Sequence, residues 1–487
     1  MSTIHVTKLV LETQSPMAIH SGGREEGFDN QLARDANGLP YIPASTIAGV
    51  WGHLVNQHYN LALRDKWFGS TEQSSSLVIS HAVVHNQHNQ PVSALTTTKS
   101  ITDDPILHQL ALERPHHRER VAINDRGVAC DTGKFDQILL PKGVRFSLTL
   151  KWHLHDRHDQ QQLNHQEWQM LLALWNDRQF AFGSSTRNGL GKIKVIACQQ
   201  KHFDLTDGVK TARQFQTFFT QANISGNDLP PLETQQLTLL AKLPLQALDN
   251  WRCGTGSELI DSLTANDTAT QPTIADKANG SIALMTYSEP CINWEGDTAT
   301  LTAQRPVLCG SSIKGILAHR IAYHLRRHHH EWAETKAEQA HDEWQQIPEA
   351  LTELLGCAAD KAHQTDGKYQ AGKLYVDDVE LEDYKTIIRT HNKIDRFTGG
   401  VQQGALYSEQ LLYQPKFTIS LWIERSTQLP TEVICALRDT FTDLETGLLP
   451  MGAGSGRGNS LVIPQANAAW IDHSTTLSPL KPVEEQA

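Results

Sequence analysis

Apolar and polar positions alternate from Ile4 to Glu12, the period of a strand with one buried face. Leu77 to Val84 also reads as a strand, and the alternation returns in Gln235 to Leu248 and in Val144 to Leu154, where Phe146, Leu148, Leu150 and Trp152 fall on one side. Helical spacing replaces it at Ile47, Val50, Trp51 and Leu54, predicting a helix that starts near Ser45 with Ser45 or Thr46 as N-cap. Further helices are expected over Trp168 to Asp177 and from Ser311-Ser312 through Ile321 to about Arg327. Between Arg114 and Leu140, short β-like pieces are separated by Asp-Arg-Gly and Thr-Gly-Lys, which reads as a protruding hairpin.

Glycine-rich signals punctuate these elements in the same order twice. His20 to Gly23 (HSGG) is followed by LPYIPASTIAG (39–49), WFGS (67–70) and FGSSTRNGLGK (182–192). The later half answers with CGTGSE (253–258), RPVLCGSSIKG (305–315), LLGC (354–357) and MGAGSGRGN (451–459). Four matched signals in one order imply an internal duplication of about two hundred residues per copy. The copies differ in spacing, since Gly23 to Ala44 is 21 residues and Gly256 to Gly310 is 54. The second copy therefore carries an insertion, rich in Thr, Ala, Asn and Asp.

Composition narrows the class. The 487 residues are 39% hydrophobic and 20% charged, which excludes a mainly disordered chain and allows two large domains. The N-terminus lacks a basic region leading into an apolar one, and no run of eighteen apolar residues occurs, so neither secretion nor a membrane span is expected. Seven scattered cysteines without a C-x-x-C fit a reducing cytoplasm rather than a disulfide or zinc framework. Of the 24 histidines, the pair His116-His117 and the run His328 to His330 lie in polar stretches and read as solvated surface. A net charge of −11 argues against a freestanding, nonspecific nucleic-acid binder, but leaves room for local phosphate contacts through amides, glycine loops and a few arginines.

The motifs with chemistry are anion-binding ones. GSSIKG (310–315) puts Ser311, Ser312 and then Lys314 at a helix start, where free N–H groups and the helix dipole favour a phosphate; a plain N-cap is the bland alternative. The first copy reads ASTIAG, so Ala48 replaces the lysine and contact there rests on amides. Arg187 and Arg457 each sit in a glycine-dense loop that lets backbone and guanidinium approach a phosphodiester, or simply closes a hairpin. No G-x-x-x-x-G-K-[ST] is present, which excludes a P-loop nucleotide hydrolase.

This ordered grammar, with GSSIKG followed by His319-Arg320 and the terminal GAGSGRGN, resembles the RAMP superfamily of CRISPR-associated proteins, and specifically the backbone subunits of type III effector complexes. The resemblance covers most of the chain, twice. It implies an α+β fold of two tandem ferredoxin-like (modified RNA-recognition-motif) RAMP domains with protruding β-hairpins, RERVAINDRGVACDTGKFDQ in the first copy and HNKIDRFTGGVQQGALYSEQ in the second. The expected boundaries are a first domain at 1–215, a linker at 216–232 drawn from the polar stretch Gln199 to Leu232, a second domain at 233–472 with an insertion at about 259–290, and a flexible tail at 473–487. Fusion of two copies is most reminiscent of subtype III-D.

The resemblance also implies partners and chemistry: a CRISPR guide RNA, a complementary single-stranded target RNA and other effector subunits, with no membrane. Guide phosphates would be held by His20, Gly22, Gly23, Ser45, Thr46, Arg187, Ser311, Ser312, Lys314 and Arg457. Family members that cut target RNA use an aspartate between the glycine turn and the PYIP helix, and Asp29 matches it, as catalytic residue and as ligand of a divalent metal, Mg²⁺. Asp35, before Ala-Asn-Gly, reads as a turn former. In the expanded second loop the candidates are Asp261 and Asp297. Two other readings stay open: a non-catalytic guide-binding scaffold, and a guide-precursor-processing RAMP endoribonuclease in which His53 is available.

Overall fold

The computed structural model describes residues 3–21, 31–123, 129–154, 158–204, 208–221, 224, 226–254, 282–332, 348–357, 370–402 and 407–479. The chain divides into two compact units, and each takes a segment from the other half of the sequence. Unit 1 is Met1–Arg120, Phe135–Leu237 and Pro290–Gln304; unit 2 is Val121–Lys134, Thr238–Glu289 and Arg305–Ala487.

The strands of the first half are β1 (Thr3–Thr13), β2 (Tyr41–Ile42), β3 (Leu77–Ile79), β4 (Ala82–Val84), β5 (His116–Ile123), β6 (Ala129–Leu139), β7 (Arg145–Leu154) and β8 (Ile193–Asp204), of which β5 and β6 fall partly in unit 2. The main sheet runs β2-β4-β7-β1-β8, with β3 also on β7. β1 is central and antiparallel to both neighbours, Leu9 lying opposite Leu148 on one side and Cys198 on the other. Helix Ala44–His58 follows β2 and lies before β3, and helix His158–Ala173 lies between β7 and β8. The expected strand over Leu77 to Val84 is broken. Ile79 opposes Leu150 whereas Val83 opposes Ser147, so β3–β4 holds one residue more than β7 beside it, a β-bulge at Ser80-His81.

The unit 1 core is unusually aromatic. Trp51, Trp67, Trp152 and Trp168 are all buried with ring centroids 5.1–5.8 Å apart, and Trp175 stands 5.4 Å from Trp51. Such pairs contribute about 0.5–1.5 kcal/mol each beyond the area they bury. Ile292 and Ala299, from the hairpin strands Ser288–Glu295 and Thr298–Leu308, belong to the same core. Trp294 covers the Arg145 guanidinium at 3.9 Å and donates its Nε1–H to the Gly143 carbonyl at 2.8 Å. A Cβ on Gly143, at φ +88°, would lie 1.9 Å from the Ile292 carbonyl, so only glycine admits this strand.

Unit 2 repeats the order. Its sheet runs Leu374–Val376, Lys416–Glu424, Leu237–Ala247, Val462–Pro464, with Ile471–Asp472 also on the central strand. Helix Gly310–His328 follows the insertion, and helix Thr431–Glu445 precedes the last strand of that order. The core is mainly aliphatic, built around Ile419, Leu421, Leu437 and Phe441. The two helices are joined by ion pairs: Asp443 accepts from Arg320 at 2.5 Å and His324 at 2.6 Å, and Asp439 from Arg327 at 2.5 Å and His328 at 2.8 Å.

Several expectations are corrected. The stretch Gln199 to Leu232 is not a plain linker, because β8 runs to Asp204 and helix Gly208–Thr220 spans the boundary drawn at 215. That helix reads as polar since it buries only a narrow aromatic edge, Phe215 and Phe218 packing on Ile4, Val6 and Phe203. The tail is ordered as far as Pro479: Ser474 is buried and Ser478–Pro479 pairs in parallel with Gln428–Leu429. The expanded region before Gly310 includes the regular hairpin Ser288–Leu308, while 255–281 lies outside the described residues. His116 and His117 are buried in β5 rather than solvated, and burial, with His116 alongside, pushes His117 below its ordinary value. In the run His328 to His330 the last two are exposed as expected, with His329 against Glu432 at 3.0 Å, while His328 is half-buried. Both expected hairpins are present, β5 with β6 and Lys385–His391 with Tyr407–Tyr413.

Candidate nucleic-acid interface

The two matched helix starts share backbone geometry and differ in what meets them. In unit 1 the N-cap is Pro43, without a side-chain cap, so Ser45 and Thr46 lie inside the first turn instead of capping it. The Ala44 N–H instead donates to His81 Nδ1 at 3.0 Å. The bulge at Ser80-His81 is what re-aims that imidazole, which also stands edge-on to Tyr41 at 5.1 Å. The helix start thus rests on a histidine as well as on amides. In unit 2 the Gly310 N–H donates to the Asp378 carboxylate at 2.7 Å. A negative charge already occupies the positive end of that dipole. Ser311 and Ser312 occupy the first turn, and Lys314 reaches the Leu374 carbonyl at 3.0 Å.

The glycine-arginine loops are also built alike. In unit 1, Ser185 (φ 59°) and Gly189 (φ 97°) bracket a 3₁₀ turn, Thr186–Asn188, that carries the half-buried Arg187; the Ser185 hydroxyl accepts from Arg120 at 3.0 Å. In unit 2, Gly454 (φ 84°) and Gly458 (φ 81°) bracket Ser455–Arg457. There Arg457 meets a buried carboxylate: Glu409 accepts from Arg252 Nε at 2.7 Å, His391 Nε2 at 2.9 Å and Arg457 at 3.3 Å. Burial pushes Glu409 up, but Arg252 and Arg457 outweigh it and hold the carboxyl below its ordinary value.

Among the catalytic candidates, Asp29 and Asp261 lie outside the described residues, as do Gly22 and Gly23. His20 is described: half-buried, bridged to Leu32, its Nε2 enclosed without a partner, and held below its usual value by burial. Asp297 belongs to unit 1, at the turn of the Ser288–Leu308 hairpin, where Oδ1 accepts from Asn89 Nδ2 at 2.8 Å. A single carboxylate bound to an amide does not suit a divalent cation. No group of three His, Cys, Asp or Glu able to hold a metal occurs among the described residues. Asp35 forms the expected turn, accepting from the Asn37 and Leu39 N–H groups at 2.8 and 2.9 Å.

Sequence reasoning missed His81, Asp378, Arg252, His391 and Glu409. Only Glu409 left a usable signal, a charge on a strand whose neighbours Leu411 and Leu412 are buried.

A family model for the RAMP superfamily matches residues 10–194 and 245–462, most of the chain in two stretches. The chain belongs to the RAMP superfamily, present here as two tandem regions with mixed helices and sheets. Membership points to a CRISPR-associated, RNA-binding protein. No curated protein matches the chain. Among the described residues, no helix is long and apolar enough to cross a membrane.

Proposed function

We propose that this chain is a fused double backbone subunit of a type III CRISPR effector, of subtype III-D, that holds a guide RNA and cleaves its complementary target. The observation that carries this reading is the tandem family match, together with the strand order found in each unit: β1 or Leu237–Ala247 central, flanked by β7 and β8 or by Lys416–Glu424 and Val462–Pro464, with β4 or Leu374–Val376 on the far side of the first of these. With one helix between the central strand and β4 or Leu374–Val376, and another before β8 or Val462–Pro464, we read each unit as a ferredoxin-like RAMP domain. Guide phosphates meet Ser45, Thr46 and Arg187 in unit 1 and Ser311, Ser312, Lys314 and Arg457 in unit 2, contacts that carry no sequence information. His20, Gly22 and Gly23 are the remaining guide-contact candidates. Base pairing supplies the choice of target, as in RNA-guided systems generally.

Cleavage is assigned to Asp29, acting as general base on the target 2′-hydroxyl once the bound strand holds that oxygen in line with its phosphate. Asp261 and Asp297 are the candidates for a second cut, and the divalent ion, Mg²⁺, is expected at Asp29. The test is cleavage of labelled, guide-complementary RNA by the assembled complex, with Mg²⁺ or with EDTA. Asp29→Ala should abolish one product while leaving assembly intact, and Asp261→Ala or Asp297→Ala a second. An unchanged ladder in all three would make the chain a non-catalytic scaffold of the same complex. Tight binding of a precursor hairpin by the isolated chain would favour the processing enzyme instead.

A further inference from the structure

We infer that Arg252, His391 and Arg457, gathered around the buried carboxylate of Glu409, form a single phosphate-binding site in unit 2, with Glu409 as the residue that positions Arg457. The inference rests on the reading of the chain as an RNA binder, and names residues of that surface beyond the glycine-arginine loop itself.

The site is built from three directions. Trp251 anchors one side, donating Nε1–H to the Met451 carbonyl at 2.6 Å, and the Ala453 N–H donates to the Arg252 carbonyl at 2.7 Å. The glycine loop therefore lies against the Arg252 backbone. At Gly452, with φ +123°, a Cβ would stand 2.8 Å from the Arg252 carbonyl oxygen, so a side chain there would lift the loop away. On the other side, His391 ends the strand Lys385–His391, and its ring is stacked on Tyr407 at 5.0 Å and 21°. Glu409 sits on the strand between them with no exposed surface.

Charge decides what such a site binds. Oε1 of Glu409 takes both guanidinium groups and Oε2 takes His391. Two arginines against one carboxylate leave one positive charge over, before His391 is counted. The excess meets solvent at Arg457, whose side chain is 42% exposed, while the Arg252 side chain is 7% exposed. At 3.3 Å the Arg457 contact is also the longest of the three, so its planar fork is the one free to turn part of its donors to a phosphate oxygen. Removing Glu409 would leave two like charges side by side and release the guanidinium from the loop. The ligand this fits is a phosphodiester of single-stranded RNA.

The test uses the full chain and a labelled single-stranded oligouridine, with affinity measured by fluorescence anisotropy from about 50 to 200 mM salt. Arg457→Gln should weaken binding and lower the slope of log K against log salt by about 0.7, the loss of one phosphate contact. His391→Gln should weaken binding as well, and the double variant should be little worse than the poorer single one, because both meet one phosphate. Glu409→Gln should cost affinity in the wild-type background and much less in the Arg457→Gln background, with partial rescue by Glu409→Asp. An unchanged slope in Arg457→Gln, or full additivity of Arg457 and His391, overturns the inference, and that pair of surface variants decides it even if Glu409→Gln does not fold. Arg187→Gln separates the two claims. Weaker binding in that variant with none in Arg457→Gln leaves the RNA reading standing and removes this site; no binding by the wild type removes both.

Discussion

The two units use one backbone plan with opposite electrostatic settings at the same places. At the helix that follows the first strand, unit 1 offers an imidazole, His81, to the leading N–H, whereas unit 2 offers a carboxylate, Asp378. At the glycine-arginine loop, unit 1 couples Arg120 to a hydroxyl, Ser185, and unit 2 ties two arginines and a histidine to Glu409. The two units keep the same backbone at these places and differ in the groups that meet it. The first unit meets its helix end with an imidazole ring as acceptor; the second meets its helix end with a carboxylate and gathers two arginines at the loop.

The largest effect expected from breaking this difference is on folding. Glu409→Gln leaves buried arginine charge without its partner, and should destabilise unit 2 by about 3–5 kcal/mol, read by urea denaturation. The unit 1 tryptophan fluorescence should stay native under conditions where unit 2 has already opened.

Acid should part the units in the other direction. Burial pushes His85 down to about 4, against 6.5 when unfolded, with Asn89 and Ser147 holding the ring at 2.9 and 2.7 Å. His5, half-buried with His165 and His202 nearby, is likewise lowered to about 4. The unfolded state binds these protons first, so stability is full above pH 6.5 and falls as pH drops toward 4, by about 3 kcal/mol for His85 alone. In unit 2 burial lowers His324 too, and it also depends on Glu409 and Asp443, whose lowered carboxyls lose stability only as pH falls below their ordinary values of 4.5 and 3.8. Denaturation midpoints at stepped pH should therefore show unit 1 weakening first, and His85→Gln should flatten that part of the curve.

Smaller changes should sharpen the contrast at the helix starts. Asp378→Asn removes the resident charge and should raise affinity for single-stranded RNA about two- to fivefold, the worth of one charge at a helix end. His81→Ala should lower stability by about 1 kcal/mol or less, since it deletes one capping acceptor. A gain in affinity from His81→Ala as large as that from Asp378→Asn would erase the proposed difference between the units.

The repeat was legible because glycine, proline and hydroxyl residues mark turns through their own backbone preferences, and those survive without knowledge of partners. The strands around Leu148 and Leu243 were legible for a similar reason, as burial on one face writes itself into alternation. What stayed hidden depends on register. His81 caps a helix 37 residues away because a single extra residue at Ser80-His81 turns it, and Glu409 meets Arg252 across 157 residues of chain. Helix Gly208–Thr220 was hidden differently: its buried edge is short, and Lys8, which fixes its end by donating to the Phe219 and Gln221 carbonyls at 3.0 and 2.7 Å, lies at the opposite end of unit 1 in sequence.

The hairpin segment Pro290–Gln304 gives this chain a schedule. Unit 1 includes it, and its core includes Ile292 and Ala299, yet the ribosome delivers it only after Thr238–Glu289 has been made. At about 5–20 residues per second that is a wait of several seconds, during which the rest of unit 1 stands with Gly143 and the Arg145 side chain uncovered. The nascent first half is then a docking platform before it is a finished domain, and synthesis of the second half is what completes the first.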